Sequence, residues 1–391
     1  MSMIVPNVEE FVSAEHRYRK LLRLVDWTEL ARPLRNLYSD IGRRGYPVEQ
    51  GLKCLFLQFL EDRSDRELER MLQDSLAAKF FCNFGLRDEI PDHTYFSKFR
   101  EKVGVYRLSQ IFRRITDALR KQGLVREIYT FVDSSKIVAC VDTWKARDKA
   151  IEDLENEQKD DDGNPTMNNR NTQEYSSDPD ARFGVKGKGD IWLGYKRHVA
   201  VDTHQGIITK VAVTPANIHD GKAFSHVAPR QGAVLADKIY SDGPAQAEMK
   251  RRGLHSMAIK KMNAKGKDRK KDAFLSSLRM PYEELFSKMS SRARYRGKLK
   301  VYFQALMEAF VSNFKRLITI HAEPIPIIEL DSPGEIRPES EFLKQFSSSS
   351  PKQEPLQALP LSFLPRSARR GLRNSAKASF RTRPRKTSVK N

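Results

Sequence analysis

The hydrophobic period changes once along this chain, near residue 126, and that change limits the possible folds more than any other feature. Before it, apolar residues recur at helical spacing, as in VEQGLKCLFLQFLED. SDRELERMLQD opens with a capping box from Ser64 to Glu67. PDHTYFSKFREKV reads as another capped helix and RLSQIFRRITDALRKQG as an amphipathic one. After residue 126 come β-type runs: EIYTFVDS, YKRHVAVDT, IITKVAVTPA, GAVLADKIY and HSMAIK, the first three rich in β-branched and aromatic residues. Helical patterns follow the fourth run (GPAQAEMKRRG) and the fifth (GKLKVYFQALMEAFVSNFKRL). Three strands close together and then strands interleaved with helices imply a mixed α/β sheet covered by helices. The expectation is an all-α N-terminal domain over residues 1–125 and an α/β domain over 126–320.

Between the first and second runs lies a polar stretch, about residues 151–190, too long for a turn and too polar for a core; it reads as a mobile insert. Residues 321–391 lose periodicity and end in PRSARRGLRNSAKASFRTRPRKTSVKN. That stretch holds ten Lys or Arg and no acid, the composition of a disordered basic tail.

The whole chain carries 70 Lys and Arg against 50 Asp and Glu, a formal net charge of +20. A polyanionic partner fits that balance, nucleic acid before an anionic membrane or a ribosome-like assembly. No run of about 18 apolar residues exists to span a bilayer, and the N-terminus lacks a secretory pattern, so the cytoplasm is the expected compartment. Cys54, Cys82 and Cys140 are few, odd in number and in apolar contexts; they read as reduced core residues, not as a disulfide framework or a zinc site.

The stretch YTFVDSSKIV ends an apolar strand run on a carboxylate, Asp133, and GAVLADKIYSDG does the same with Asp237. If those strands are neighbours, the two side chains converge and repel unless a cation lies between them. A third carboxylate, Glu308, lies in YFQALMEAFVSNFKRL, with Lys315 about two turns further on the same face. Three such oxygen donors suit Mg²⁺ or Mn²⁺, and paired ions of this kind serve phosphodiester cleavage. The plainer alternative is that strand-end Asp residues are caps and a helical Glu is solvated. Asp202, Asp242, Glu283 and Glu284 are competing carboxylates, ranked below these three.

At these residues the chain resembles the DDE transposases of bacterial insertion sequences, the group with a helical N-terminal domain and an RNase H-like catalytic domain. The resemblance spans most of residues 30 to 318. It begins with GYPVEQGLKCLFLQFLEDRSDRELERMLQDSLAAKFFCNFGLRDEIPDHTYFSKFR. It continues through FVDSSKI, DPDARFGVKGKGDIWLGYKRHVAVD, VTPANIHDGKAF and VLADKIYSD. It implies Asp133 and Asp237 as the first two catalytic, metal-holding acids. For the third, the family pattern is Tyr, two residues, Arg, three residues, Glu, six residues, Lys. Glu308 and Lys315 fit, while the Arg and Tyr places hold Gln304 and Val301.

The resemblance further implies Mg²⁺, with Mn²⁺ able to substitute, and double-stranded DNA, both terminal inverted repeats and target, as partner. It implies a homodimer in the synaptic complex, nucleoid-associated when bound to DNA. Lys315, Arg294, Arg296 and Lys298 are the DNA-contact candidates. The basic runs IKKMNAKGKDRKKDAF and SSRARYRGKLK fit phosphate contacts as well as solvated loops. The helical domain fits either repeat binding or dimerisation. His219 beside Asp220 reads as a helix cap more readily than as a ligand. Lys196 and Arg197 head a strand and face either solvent or DNA, and Trp144 and Trp192 fit packing as well as base stacking. Two other activities remain open: a catalytically inactive DNA-binding derivative, and a nuclease that cuts without joining.

Overall fold

Ten of the thirteen residues of α3 (Val48–Leu60) are buried, which makes this helix the centre of the N-terminal half and not a surface element. In the computed structural model, residues 7–38, 45–141, 176–186, 190–241, 243–264, 266–320 and 323–325 are described. Around α3 pack α1 (Arg17–Leu24), α2 (Trp27–Leu30), α4 (Asp65–Asp74), α5 (Leu76–Phe81) and α6 (His93–Lys121). The Ser64–Glu67 capping box starts α4 with both reciprocal bonds made. The two helical patterns expected over 91–123 form one helical run, α6, kinked where Gly104 takes φ 61°. Gly51 of α3 lets α6 come close, because a Cβ there would meet the Phe99 ring at 2.6 Å.

The sheet has six strands: β1 (Tyr129–Val138), β2 (Arg182–Lys186), β3 (Asp190–Asp202), β4 (Ile207–Pro215), β5 (Ala233–Ala236) and β6 (His255–Ala258). β1 is antiparallel to β3 and parallel to β5, β6 runs parallel beyond β5, and β4 and β2 each pair antiparallel with β3. This mixed order, with the first run central and the second antiparallel to it, is the RNase H-like arrangement expected. β2 was not expected: it lies inside the polar stretch read as a mobile insert, and its ladder with β3 and Phe183 against the core hold it. Trp144, most of the rest of that insert and the tail beyond residue 325 lie outside the described residues.

Strand alternation sends Val132, Ala200 and Ala212 to one face, covered by α7 (Asp220–Val227) and α8 (Gly243–Arg251). Phe131, Val199, Val211 and Leu235 face the other way, towards α9 (Arg269–Ser287) and α10 (Lys298–Thr319). α10 also reaches the N-terminal helices: Phe310 meets Phe56 at 5.2 Å and Phe314 meets Trp27 at 5.9 Å. One apolar core therefore runs across the change of period at residue 126. Polar clamps fix α10 on the sheet: the Asn313 amide donates to the Ile208 carbonyl and accepts from its N–H, both at 2.8 Å. Tyr302 donates to the Val211 carbonyl at 3.1 Å. Cys54 and Cys82 are buried as expected, whereas Cys140 is exposed, because it lies just past the end of β1.

Candidate active site

The last residue pair of the parallel β1–β5 ladder is Val132 with Ala236. The next residue on each strand is an aspartate, so Asp133 and Asp237 leave the ladder side by side. β1 does not end at Asp133, as the sequence suggested. It runs on to Val138, because residues 134–138 keep their partners on β3 after β5 has stopped. Asp237 also caps the 3₁₀ turn Lys238–Tyr240, accepting the Lys238 N–H at 2.6 Å. Asp133 accepts the Ser134 N–H at 2.8 Å.

One side chain faces both acids. Arg279 of α9 places Nη2 3.6 Å from Asp133 Oδ2 and Nη1 3.6 Å from Asp237 Oδ1. It also lies 3.3 Å from Glu283, one turn on, with its guanidinium over the Phe131 ring. Its Nε is buried without a hydrogen-bond partner among the described residues. Burial pushes the Asp133 carboxyl up to about 6; the Ser134 N–H and Arg279 pull it down, and the Asp237 charge pushes it up again.

Glu308 projects from α10 towards the same face and ends on Arg197 of β3, with which it forms a close ion pair. Arg197 is 1% exposed, and its Nε donates to Ser135 Oγ at 3.2 Å, two residues along β1 from Asp133. Gln304, at the family's Arg place, is fully buried. It donates to Glu308 Oε1 at 2.8 Å and to the Arg292 carbonyl at 3.0 Å, and it accepts the Arg294 N–H at 2.8 Å. Gln304 thus ties Glu308 to the backbone at residues 292–294. Burial raises the Glu308 carboxyl above its usual range, against the pull of Arg197 and Gln304.

Asp133 and Asp237 are therefore brought to one cation, and Glu308 to another. Among the described residues, no group of three or more His, Cys, Asp or Glu is placed to hold a metal ion. The aspartate pair fits a hard divalent cation: its donors are carboxylate oxygens, and a positive group already lies against both.

Sequence reasoning passed over Arg279 and left Arg197 undecided, although both leave a signal. Arg197 alternates with Tyr195, Val199 and Val201, which places it on the face of β3 that packs against α10. Arg279 stands at helical spacing from Leu275, Tyr282 and Phe286, the inward residues of α9.

Of the competing acids, Glu283 shares Arg279 with the aspartate pair, and two others have separate tasks. Asp202 accepts the N–H groups of Arg126 and Glu127, and Glu284 pairs with Lys288. Asp242 lies outside the described residues. His219 caps α7 through the Gly221 N–H, Asp220 pairs with Lys196, and the Trp192 indole donates to the Tyr195 carbonyl.

Of the basic candidates, Lys315 is exposed. Arg294 pairs with Asp62 and stacks on Phe59, Arg296 donates to the Cys140 carbonyl, and the Lys298 N–H bonds Asp180. No helix among the described residues is long and apolar enough to cross a membrane.

Residues 130–314 match the transposase DDE domain family, and residues 6–102 match a transposase domain, DUF772. Among solved structures, a piggyBac transposase synaptic complex with hairpin DNA is similar at 10% identity, covering 95% of this chain and 84% of that one, with a TM-score of 0.31. A likeness of that size carries no argument about the site.

Proposed function

We propose that this chain, which belongs to the DDE transposases of insertion-sequence type, cuts DNA at the ends of its element and joins those ends to target DNA. The family makes it a transposition enzyme, and members of that family use divalent metal ions. The observation that supports the cutting site best is the side-by-side exit of Asp133 and Asp237 from β1 and β5.

In this reading Asp133 and Asp237 would hold Mg²⁺, and Glu308 would join them by giving up its Arg197 ion pair. When bound, such ions stabilise charge on the attacking and leaving oxygens of a phosphodiester. A water oxygen forms a bond to phosphorus at the element end, the bond to the 3′ oxygen breaks, and a 3′-OH is released. That 3′-OH then attacks a target phosphodiester and displaces the target strand's own 3′ oxygen. The cut consumes one water, and in the joining step one phosphodiester forms for the one broken, so neither step needs an energy-supplying cofactor. Gln304 keeps the Glu308 carboxylate oriented, and Lys315, Arg294, Arg296 and Lys298 take DNA phosphates. A homodimer pairs the two ends.

The test is incubation with Mg²⁺ or Mn²⁺ and labelled DNA carrying the repeats that flank the gene. Wild type is expected to cut and join, while Asp133→Ala, Asp237→Ala and Glu308→Ala bind the DNA and do neither. Undiminished cutting by Asp133→Ala and Asp237→Ala would overturn the assignment.

A further inference from the structure

We infer that Arg279 is a built-in counter-cation that occupies the Asp133–Asp237 pair until a divalent ion displaces it, and that α9 lifts from the sheet when it leaves. This rests on the reading of the pair as a metal site. Two aspartates leaving adjacent strand ends repel each other, and the guanidinium relieves that repulsion by lying 3.6 Å from each. It cannot stay there once a divalent ion arrives, because like charges would then share one small site.

The contact is also one that can be given up. Charge-assisted hydrogen bonds settle near 2.7–2.9 Å, so two contacts at 3.6 Å with a buried, unpartnered Nε form a neutralising arrangement without a tight bidentate clasp.

The helix that carries Arg279 is held lightly. Of its nineteen residues only Leu275 and Arg279 are buried, while Phe274, Leu278 and Met280 are exposed. Pro281 stands inside the helix, where it removes a backbone donor two residues after Arg279. Losing the Arg279 contact therefore takes away one of the two buried side chains of α9 and leaves Leu275 with the half-buried Tyr282, Leu285 and Phe286 to hold the helix. With one of its two buried side chains gone, α9 loosens, so metal loading and helix release are coupled.

The experiment measures Mn²⁺ binding by the full chain without DNA, from the EPR signal of free Mn²⁺ at constant ionic strength, in wild type, Arg279→Met, Arg279→Lys and the double variant Asp133→Asn/Asp237→Asn. Hydrogen exchange of residues 269–287 is followed in wild type with and without Mn²⁺. Arg279→Met is expected to bind Mn²⁺ at least tenfold more tightly than wild type. Arg279→Lys, which keeps the charge and serves as the folded control, is expected to lie between them. The double Asn variant is expected to lose the site, and saturating Mn²⁺ to speed exchange in 269–287. Equal or weaker binding by a folded Arg279→Met, or exchange in 269–287 unmoved by Mn²⁺, would overturn the displacement while leaving the metal site intact. Mn²⁺ binding that survives in the double Asn variant, or that is missing from every variant, would overturn the metal reading of the pair itself.

Discussion

Two helices lie on the same face of the sheet and each meets one part of the acid cluster, yet α10 buries thirteen of its twenty-two residues and α9 buries two of nineteen. α10 is gripped by aromatic contacts to the N-terminal helices and by Asn313 and Tyr302 on β4. α9 rests on Leu275, on Arg279 and on Tyr282 and Phe286 against the Phe131 ring. Opening free energies follow buried contact. The difference teaches that the acid on α10 is built into the core, while the arginine on α9 belongs to the part of the site that can move.

The largest effect expected from this contrast is at Phe310. Phe310→Ala opens a cavity between α10 and α3 and is expected to lower stability by about 3–5 kcal/mol in denaturant titration. A loss under about 1 kcal/mol would remove α10 from the role of anchor.

Arg197→Met comes next, because it leaves Glu308 buried beside β3 without its cation. About 3 kcal/mol or more should be lost, and Arg197→Met/Glu308→Gln should recover most of it. Failure of the second substitution to rescue would mean that the cost comes from Arg197 packing and not from the orphaned charge.

These two residues also mark where the sequence was legible. That Asp133 and Asp237 converge could be read because each follows an apolar run in a motif of its own, and strand order did the rest. Glu308 was placed on its helix by spacing, but its partner comes from a strand 111 residues away, and no local pattern records that contact. α9 escaped notice because its inward residues are few and interrupted by Pro281, so its basic start read as a loop. β2 escaped because five residues between polar stretches carry little alternation until β3 supplies the pairing. What was legible is local periodicity and chemistry; what was not is which buried charge meets which.

Acid should act through the anchored part of the molecule. His198 follows Arg197 on β3 and points to the opposite face, fully buried, with Nε2 2.9 Å from Thr214 Oγ1 and Asp220, Lys196 and His226 around it. Burial pushes its imidazole down to about 4, while in the unfolded chain it titrates near 6.5. Below pH 6.5 the unfolded chain takes up the proton first. Stability is therefore complete above that pH and is lost as pH falls towards 4, by about 2 kcal/mol between pH 7 and pH 5. His198→Gln should flatten that part of the pH profile of the denaturation midpoint. An unchanged slope would place the acid sensitivity elsewhere.

The smallest effect is the one that tests α9 most directly. Phe274 is 59% exposed on the outer side of that helix. If α9 is a lightly held cover facing solvent, Phe274→Ser touches no core and should move global stability by no more than about 0.5 kcal/mol. A change comparable to that of Phe310→Ala would mean that this outer face is buried in solution. α9 would then be an internal element in an assembly, and the contrast between the two helices would belong to the isolated chain alone. Thermal denaturation of the two variants at several protein concentrations separates these cases, because burial by a second copy makes the Phe274→Ser effect depend on concentration and burial within the chain does not.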